Sequence, residues 1–103
     1  MTIMPINVNL TLARKQAPGK FALGKIAVTY GVEAEIPQPE IDSALARHHF
    51  GDWGEVDDER RLQNEHSLQE GLELISAYTS SAGVNFLVIT EHDRSITSII
   101  LRE

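Results

Sequence analysis

The chain has no cysteine among its 103 residues, which excludes disulfide bonds, thiol nucleophiles and zinc–thiolate sites. It also has no apolar run near the roughly 18–20 residues that a membrane-spanning helix needs. The first apolar residues follow no positive charge, so we expect no secretory signal in residues 1–12. These absences favour a cytoplasmic protein with no membrane partner.

Acidic residues outnumber basic residues by 15 to 9, and most of them lie in the middle of the chain. Residues 33–73 carry twelve acidic side chains and three basic ones. Because a phosphate backbone is bound by a concentrated basic surface, we expect no direct binding to nucleic acid. The acidic middle favours a basic protein as partner, but it is also typical of acids that only keep helices solvated.

Hydrophobic patterning predicts a single α+β domain over residues 1–103. The expected architecture is a four- to five-stranded antiparallel sheet with two helices on one face. The predicted strands cover residues 6–12, 21–30, 72–79, 84–90 and 95–101, and residues 1–20 form an N-terminal strand or arm. The strand at 6–12 is an exposed edge that favours pairing with a second copy, so both a monomer and a homodimer are expected possibilities.

Two helices are predicted over residues 39–50 and 57–70. In the first, Ile41, Ala44 and His48 recur at helical spacing and form one stripe. Asp57 is a typical N-cap for the second helix, and Gly71 a typical stop. The second helix has a poor apolar stripe, which favours a position on the surface.

Trp53 is the single tryptophan, and it lies in the tight loop Gly-Asp-Trp-Gly at residues 51–54. One interpretation places it in the seam between helix and sheet, with its indole N–H bonded to a backbone oxygen. The other makes it an exposed anchor for a partner, since tryptophan is enriched at interface hot spots.

The residue patterns typical of catalysis and metal binding are absent from the sequence. Its four histidines show no HExxH spacing, no GxSxG motif or P-loop occurs, and the serines have no evident base partner. We therefore expect no metal and no cofactor. A small enzyme with a site near Trp53, Glu91, Asp93 and Arg94 is kept as an alternative.

Several short segments, taken together, indicate a family. They are Leu23-Gly24-Lys25-Ile26, Leu45-Ala46-Arg47-His48, Gly51-Asp52-Trp53-Gly54, Asn64-Glu65, Leu74-Ile75-Ser76-Ala77-Tyr78 and Ile89-Thr90-Glu91-His92-Asp93-Arg94-Ser95. Over about residues 21–102 the chain resembles a widespread family of small bacterial proteins labelled plasmid-related. His92 departs from that pattern, which usually has alanine there.

One branch of that family is a type II-A anti-CRISPR, an inhibitor of Cas9. The resemblance implies a non-enzymatic inhibitor, carried by a mobile element or phage, that binds Cas9 or its guide-RNA complex through an acidic surface. The residues expected to contact the partner are Asp52, Trp53, Glu55, Asp57, Asp58, Glu59, Glu91 and Asp93. The alternative within the same family is an accessory protein that binds another host protein.

Overall fold

The computed structural model describes residues 19–102, so the predicted strand at 6–12 lies outside the described residues. The described elements, in chain order, are β1 (Lys25–Val28), α1 (Tyr30–Glu35), α2 (Gln38–His49), α3 (Asp58–Glu70), β2 (Leu74–Thr79), β3 (Asn85–Thr90) and β4 (Ile96–Leu101). The α+β class and the four-stranded sheet are confirmed.

The strands form one sheet in the order β1-β4-β3-β2. β2 pairs with β3, and β3 with β4, in the antiparallel sense that their short connections predict. β1 instead runs parallel to β4, with Lys25 opposite Ile96 and Val28 opposite Ile99. The sheet is therefore mixed, although mostly antiparallel. A hairpin loop forces neighbouring strands into opposite directions, whereas the long connection from β1 to β4 imposes no such constraint.

α1 is a short helix in a region where the sequence indicated the end of a strand. The strand predicted over residues 21–30 is shorter in the structure, and Gly31, where a strand end was expected, lies within the helix that follows. A Cβ on Gly31 would lie 2.8 Å from the Leu101 side chain, so glycine here allows the helix to approach β4 closely. The approach buries Val32 completely and leaves Ile36 only 3% exposed.

The two longer helices follow the predicted pattern closely. α2 buries Ile41, Ala44 and His48, which form the stripe expected from the sequence. The side chain of Asp57 accepts a hydrogen bond from the backbone N–H of Arg60 and caps α3. Gly71 ends α3 in the left-handed conformation, which glycine adopts without steric cost.

The two faces of the sheet have different environments. The core lies on the face covered by α1 and α2, and it contains Val32, Ile36, Ile41, Ala44, Tyr78, Phe86, Val88 and Ile99. The strand registers place a second set of side chains on the opposite face, here named the open face: Ala27, Ile75, Ala77, Leu87, Ile89, Ile96, Ser98 and Ile100. Among residues 19–102, no helix buries an apolar side chain there, because the buried residues of α3 are polar.

The free edge of β2 is covered by the chain that leads into α3. Gly54 forms an isolated parallel bridge with Ala77, whose backbone bonds the flanking residues of the same loop. Farther along the edge, the side chain of Asn64 bonds the backbone N–H and carbonyl of Ile75. These contacts place the loop 51–57 and the start of α3 beside the sheet.

Candidate partner-binding surface

Asp52 is held by an ion pair at the end of α2. Its carboxylate accepts hydrogen bonds from Arg47 at 2.8 and 3.3 Å and from the backbone N–H of Gly54 at 3.2 Å. The bond from Arg47 lowers the pKa of Asp52 below its ordinary value. The Arg47 guanidinium also lies 4.7 Å from the ring centroid of Tyr78. Asp52 thus has a local structural partner, and much of its charge is already balanced.

The start of α3 carries the most exposed acids of the expected set. The Asp57 carboxylate caps the helix through a 2.7 Å bond from the backbone N–H of Arg60. The Asp58 side chain is 95% exposed and accepts a 3.0 Å bond from Arg61. Glu59 is exposed, and in the described part of the chain it has no hydrogen-bond or ion-pair partner. Acids in the first turn are favoured by the helix dipole, and here two of them face solvent.

Glu55 lies beside β2, next to these acids. Its carboxylate accepts a 2.7 Å bond from the Thr79 hydroxyl, and its backbone N–H donates to Ala77. A cavity of about 330 Å³ opens at this position. It is lined by Glu55, Val56, Asp57, Arg60, Ile75, Ala77, Leu87 and Arg102. The loop and α3 therefore bring Glu55, Asp57, Asp58 and Glu59 together, and we name these four residues the acidic surface.

Trp53 is not an exposed anchor. It is 3% exposed and packs between the Phe21 ring, at 6.1 Å, and the His48 ring, at 5.7 Å. Its indole N–H donates a 2.8 Å bond to Glu65, so the acceptor is a carboxylate on α3 and not the backbone oxygen expected in a helix–sheet seam. The indole fills the junction between α2, α3 and the segment before β1, because burying its ring is favourable once the N–H has an acceptor.

Glu91 and Asp93 lie away from the acidic surface, in the turn between β3 and β4. Asp93 accepts bonds from the backbone N–H and the hydroxyl of Ser95, and both bonds lower its pKa. The turn is tied to the end of α3 by Arg94. Since α3 rises about 1.5 Å per residue, its two ends are roughly 18 Å apart. The eight expected contact residues therefore do not form one surface.

Arg94 has a structural role in that turn. It adopts the left-handed conformation, with φ of 61°, and its guanidinium donates to the carbonyl oxygens of Ser67, Leu72 and Glu91. Trp53 bonds Glu65, Asp93 bonds Ser95, and Arg94 bonds these carbonyls. Trp53 and Asp93 thus have separate partners within the fold, whereas Arg94 bonds the backbone of Glu91, another residue of the expected enzyme site.

A buried polar network crosses the core, and sequence patterning did not reveal it. His48 Nδ1 lies 2.6 Å from the Ser76 hydroxyl, and its Nε2 lies 2.9 Å from the Thr90 hydroxyl. The Thr90 hydroxyl lies 2.7 Å from that of Thr97, which donates to the Leu23 carbonyl at 2.6 Å. His48, Ser76, Thr90 and Thr97 are all fully buried.

The carbonyl of Leu23, at the end of this network, can only accept a hydrogen bond, and this determines which group donates in each of the other bonds. Thr97 donates to Leu23 and so accepts from Thr90, which in turn accepts from Nε2–H of His48. Nδ1 therefore accepts from Ser76. Burial is the main cause that lowers the pKa of His48 to about 4, with smaller contributions from His49 and Arg94, so the ring is neutral at pH 7. Ser76 does have a histidine partner, contrary to expectation, but both groups are enclosed in the core.

In residues 19–102, no group of three histidine or acidic side chains is arranged to hold a metal ion. Within the same range, no helix has the length and apolar character to cross a bilayer. Comparison of the chain with protein-family models, with curated proteins and with solved structures yields no match. The family resemblance therefore stays a prediction.

Proposed function

We propose that this protein is a non-enzymatic anti-CRISPR inhibitor, encoded by a mobile element or phage, that binds Cas9 or its guide-RNA complex in the bacterial cytoplasm. The proposal rests on the resemblance of residues 21–102 to the plasmid-related family and on the acidic surface at the start of α3. Cas9 holds nucleic acid in a positively charged channel, which is the kind of surface that acids would approach.

The observation that carries the proposal is the exposure of Asp58 and Glu59 in the first turn of α3. Their carboxylates are held on a helix that Asn64 fastens to the edge of the sheet, so they are presented by a rigid element. Charges presented in this way steer encounter with a basic partner. The proposed contact excludes Trp53, which is buried, and does not require Glu91 or Asp93.

The test measures binding to guide-free and guide-loaded Cas9 over a series of salt concentrations, together with DNA cleavage. We expect binding that weakens as salt rises and cleavage that falls as inhibitor is added. The double variant Asp58→Asn, Glu59→Gln should weaken binding about tenfold, because it removes two exposed charges from the contact. Asp57 is left in place because its side chain caps the helix.

The matched control is Glu33→Gln, Glu35→Gln, which removes the same charge from exposed positions on α1. We expect this control to bind as tightly as the original chain. Equal weakening by both double variants would reject the acidic surface as the contact. No binding at low salt, with undiminished cleavage at excess inhibitor, would reject the function.

The accessory-protein alternative uses the same acidic surface on another host protein. It predicts capture of that protein from a host lysate by the original chain, weakened by Asp58→Asn, Glu59→Gln, without any effect on Cas9 cleavage. For the enzyme alternative, Trp53 and Arg94 do lie against the same ring, that of Phe21, but the polar groups of Trp53, Asp93 and Arg94 are already bonded within the fold.

A further inference from the structure

The open face of the sheet is an apolar surface that the described helices leave without a covering layer. Its cross-strand rows are Ala77, Leu87 and Ile100 in one line, and Ile75, Ile89, Ser98 and Ala27 in the next. All of these except Ala77 are partly exposed. Four strands at about 4.8 Å spacing and about 17 Å length give the face a projected area of roughly 300 Å². A patch of this size is comparable with the largest apolar patch on a typical monomer, and such patches often have a function.

The order of the strands makes this face complementary to itself. A twofold axis that runs parallel to the strands, between β4 and β3, places β1 of one copy over β2 of the other and β4 over β3. The registers then set Ala27 over Ile75, Ser98 over Ile89 and Ile100 over Leu87. A small side chain thus meets a larger one in two of these three pairs, as interdigitation of packed sheets requires.

The same twofold axis brings opposite charges together at one end of the face. Lys25 is exposed and lies opposite Ile96 in the parallel pair, at the β1 edge. The N–H of Glu91 donates to the carbonyl of Ile96, and one further step of the β2–β3 register places Glu73 opposite Glu91. The β1 half of this row is therefore basic, and the β2–β3 half is acidic. In the twofold arrangement, Lys25 of each copy faces Glu73 and Glu91 of the other.

We propose that the open face binds a second copy of this chain, with the two sheets packed face to face about a twofold axis parallel to the strands. The interface places Leu87 and Ile89 at its centre and two Lys25–Glu73 pairs at its rim. A projected area of roughly 300 Å² per copy is smaller than that of standard specific interfaces, so the dimer is weak and forms reversibly as concentration rises. The inference does not use the proposed Cas9 binding, although the two surfaces adjoin, because Glu55 and Asp57 line the same cavity as Leu87.

Sedimentation equilibrium on the full chain, from about 1 to 300 μM, tests the proposal directly. We expect a monomer–dimer equilibrium in this range. The variant Leu87→Asp should abolish the dimer, because it replaces apolar surface at the centre of the interface with a charge that loses its hydration on association. The control Leu62→Asp changes a residue on α3 that is 71% exposed, and it should leave the equilibrium unchanged.

A charge exchange tests the orientation without changing the core. We expect Lys25→Glu to raise the dimer Kd about tenfold, because it sets like charges against each other. Adding Glu73→Lys to that variant should recover most of the lost affinity, since only Glu91 then remains as a like charge. The control Lys20→Glu makes the same charge change at an exposed residue outside the face.

Two results would overturn the proposal. A monomer at every concentration would leave the open face to residues 1–18 or to a foreign partner. A dimer that responds equally to Leu87→Asp and Leu62→Asp, or equally to Lys25→Glu and Lys20→Glu, would place the interface elsewhere. Circular dichroism of each variant separates a lost interface from a lost fold.

Discussion

The side chain of Asn64 takes the place of a neighbouring strand for Ile75. Its Nδ2 donates to the Ile75 carbonyl at 2.8 Å, and its Oδ1 accepts from the Ile75 N–H at 3.2 Å. Asn64 is fully buried, so both bonds are shielded from water. The pair closes the edge of β2 and fastens α3, and with it the acidic surface, to the sheet.

Replacing Asn64 by leucine should destabilise the fold. We expect Asn64→Leu to lower the free energy of unfolding by roughly 2–4 kcal/mol, because two backbone groups of Ile75 lose their partners. Urea denaturation measures the change. The control Gln69→Leu, at an exposed position on the same helix, should change the value by less than about 0.5 kcal/mol. A loss no larger than that of the control would contradict this role.

Stability should fall as the pH drops from 6.5 towards 4. Burial lowers the pKa of His48 from 6.5 to about 4, so in this window the unfolded chain takes up a proton that the folded chain does not. The stabilisation is complete above pH 6.5, and roughly 3 kcal/mol of it is lost by pH 4. Urea denaturation at a series of pH values gives the slope.

Two histidine variants identify the source of that slope. His48→Gln should remove most of the decline between pH 6.5 and 4, and it should also lower stability at pH 7 because Ser76 and Thr90 lose their partner. His92→Gln, at an exposed position in the β3–β4 turn, should keep the original slope. The same slope in His48→Gln as in the original chain would contradict the assignment.

The hydrogen bond from Trp53 to Glu65 should stabilise the fold because it gives the indole N–H an acceptor, and the negative charge of Glu65 should contribute less. Glu65→Leu leaves the buried indole N–H without an acceptor and should cost about 1–3 kcal/mol. Glu65→Gln keeps an acceptor oxygen and should cost less. Fluorescence of the single tryptophan follows unfolding in urea. Equal stability of the two variants would show that the bond contributes nothing.

Gly54 should tolerate alanine far less than Gly83 does. Both have positive φ, at 74° and 86°, which an alanine resists at a cost of roughly 1–2 kcal/mol. A Cβ on Gly54 would also collide with the Ala77 carbonyl oxygen, whereas nothing lies within 4 Å at Gly83. We expect Gly54→Ala to cost about 1–3 kcal/mol more than Gly83→Ala in thermal or urea unfolding. Equal costs would show that the loop shifts freely away from β2.

Local patterns in the sequence predicted most elements of the fold. The spacing of Ile41, Ala44 and His48 identified α2, and Asp57 and Gly71 marked the ends of α3. α1 was missed because Gly31 has two possible uses, ending a strand or admitting a close neighbour. Only the packing of Leu101 against Gly31 shows which of these two roles the glycine has.

The candidate site was predicted less completely, because its geometry depends on distant contacts. Asp58 and Glu59 are exposed, as their place in an acidic first turn suggests. Trp53 is buried because α3 brings Glu65 to its N–H, and a Gly-Asp-Trp-Gly loop carries no information about that approach. Glu91 and Asp93 lie near the C-terminal end of α3, because Arg94 bonds their turn to Ser67, and the local sequence does not reveal that contact either.

By itself, the sequence determined most of the helix and strand segments and the acidic middle of the chain, because periodicity, capping and charge act over a few neighbouring residues. The tertiary structure alone decided the parallel pairing of β1, the open face and the bond from His48 to Ser76, which lies 28 residues away. Such contacts depend on how helices cross the sheet, and that crossing is the outcome of packing over the whole domain.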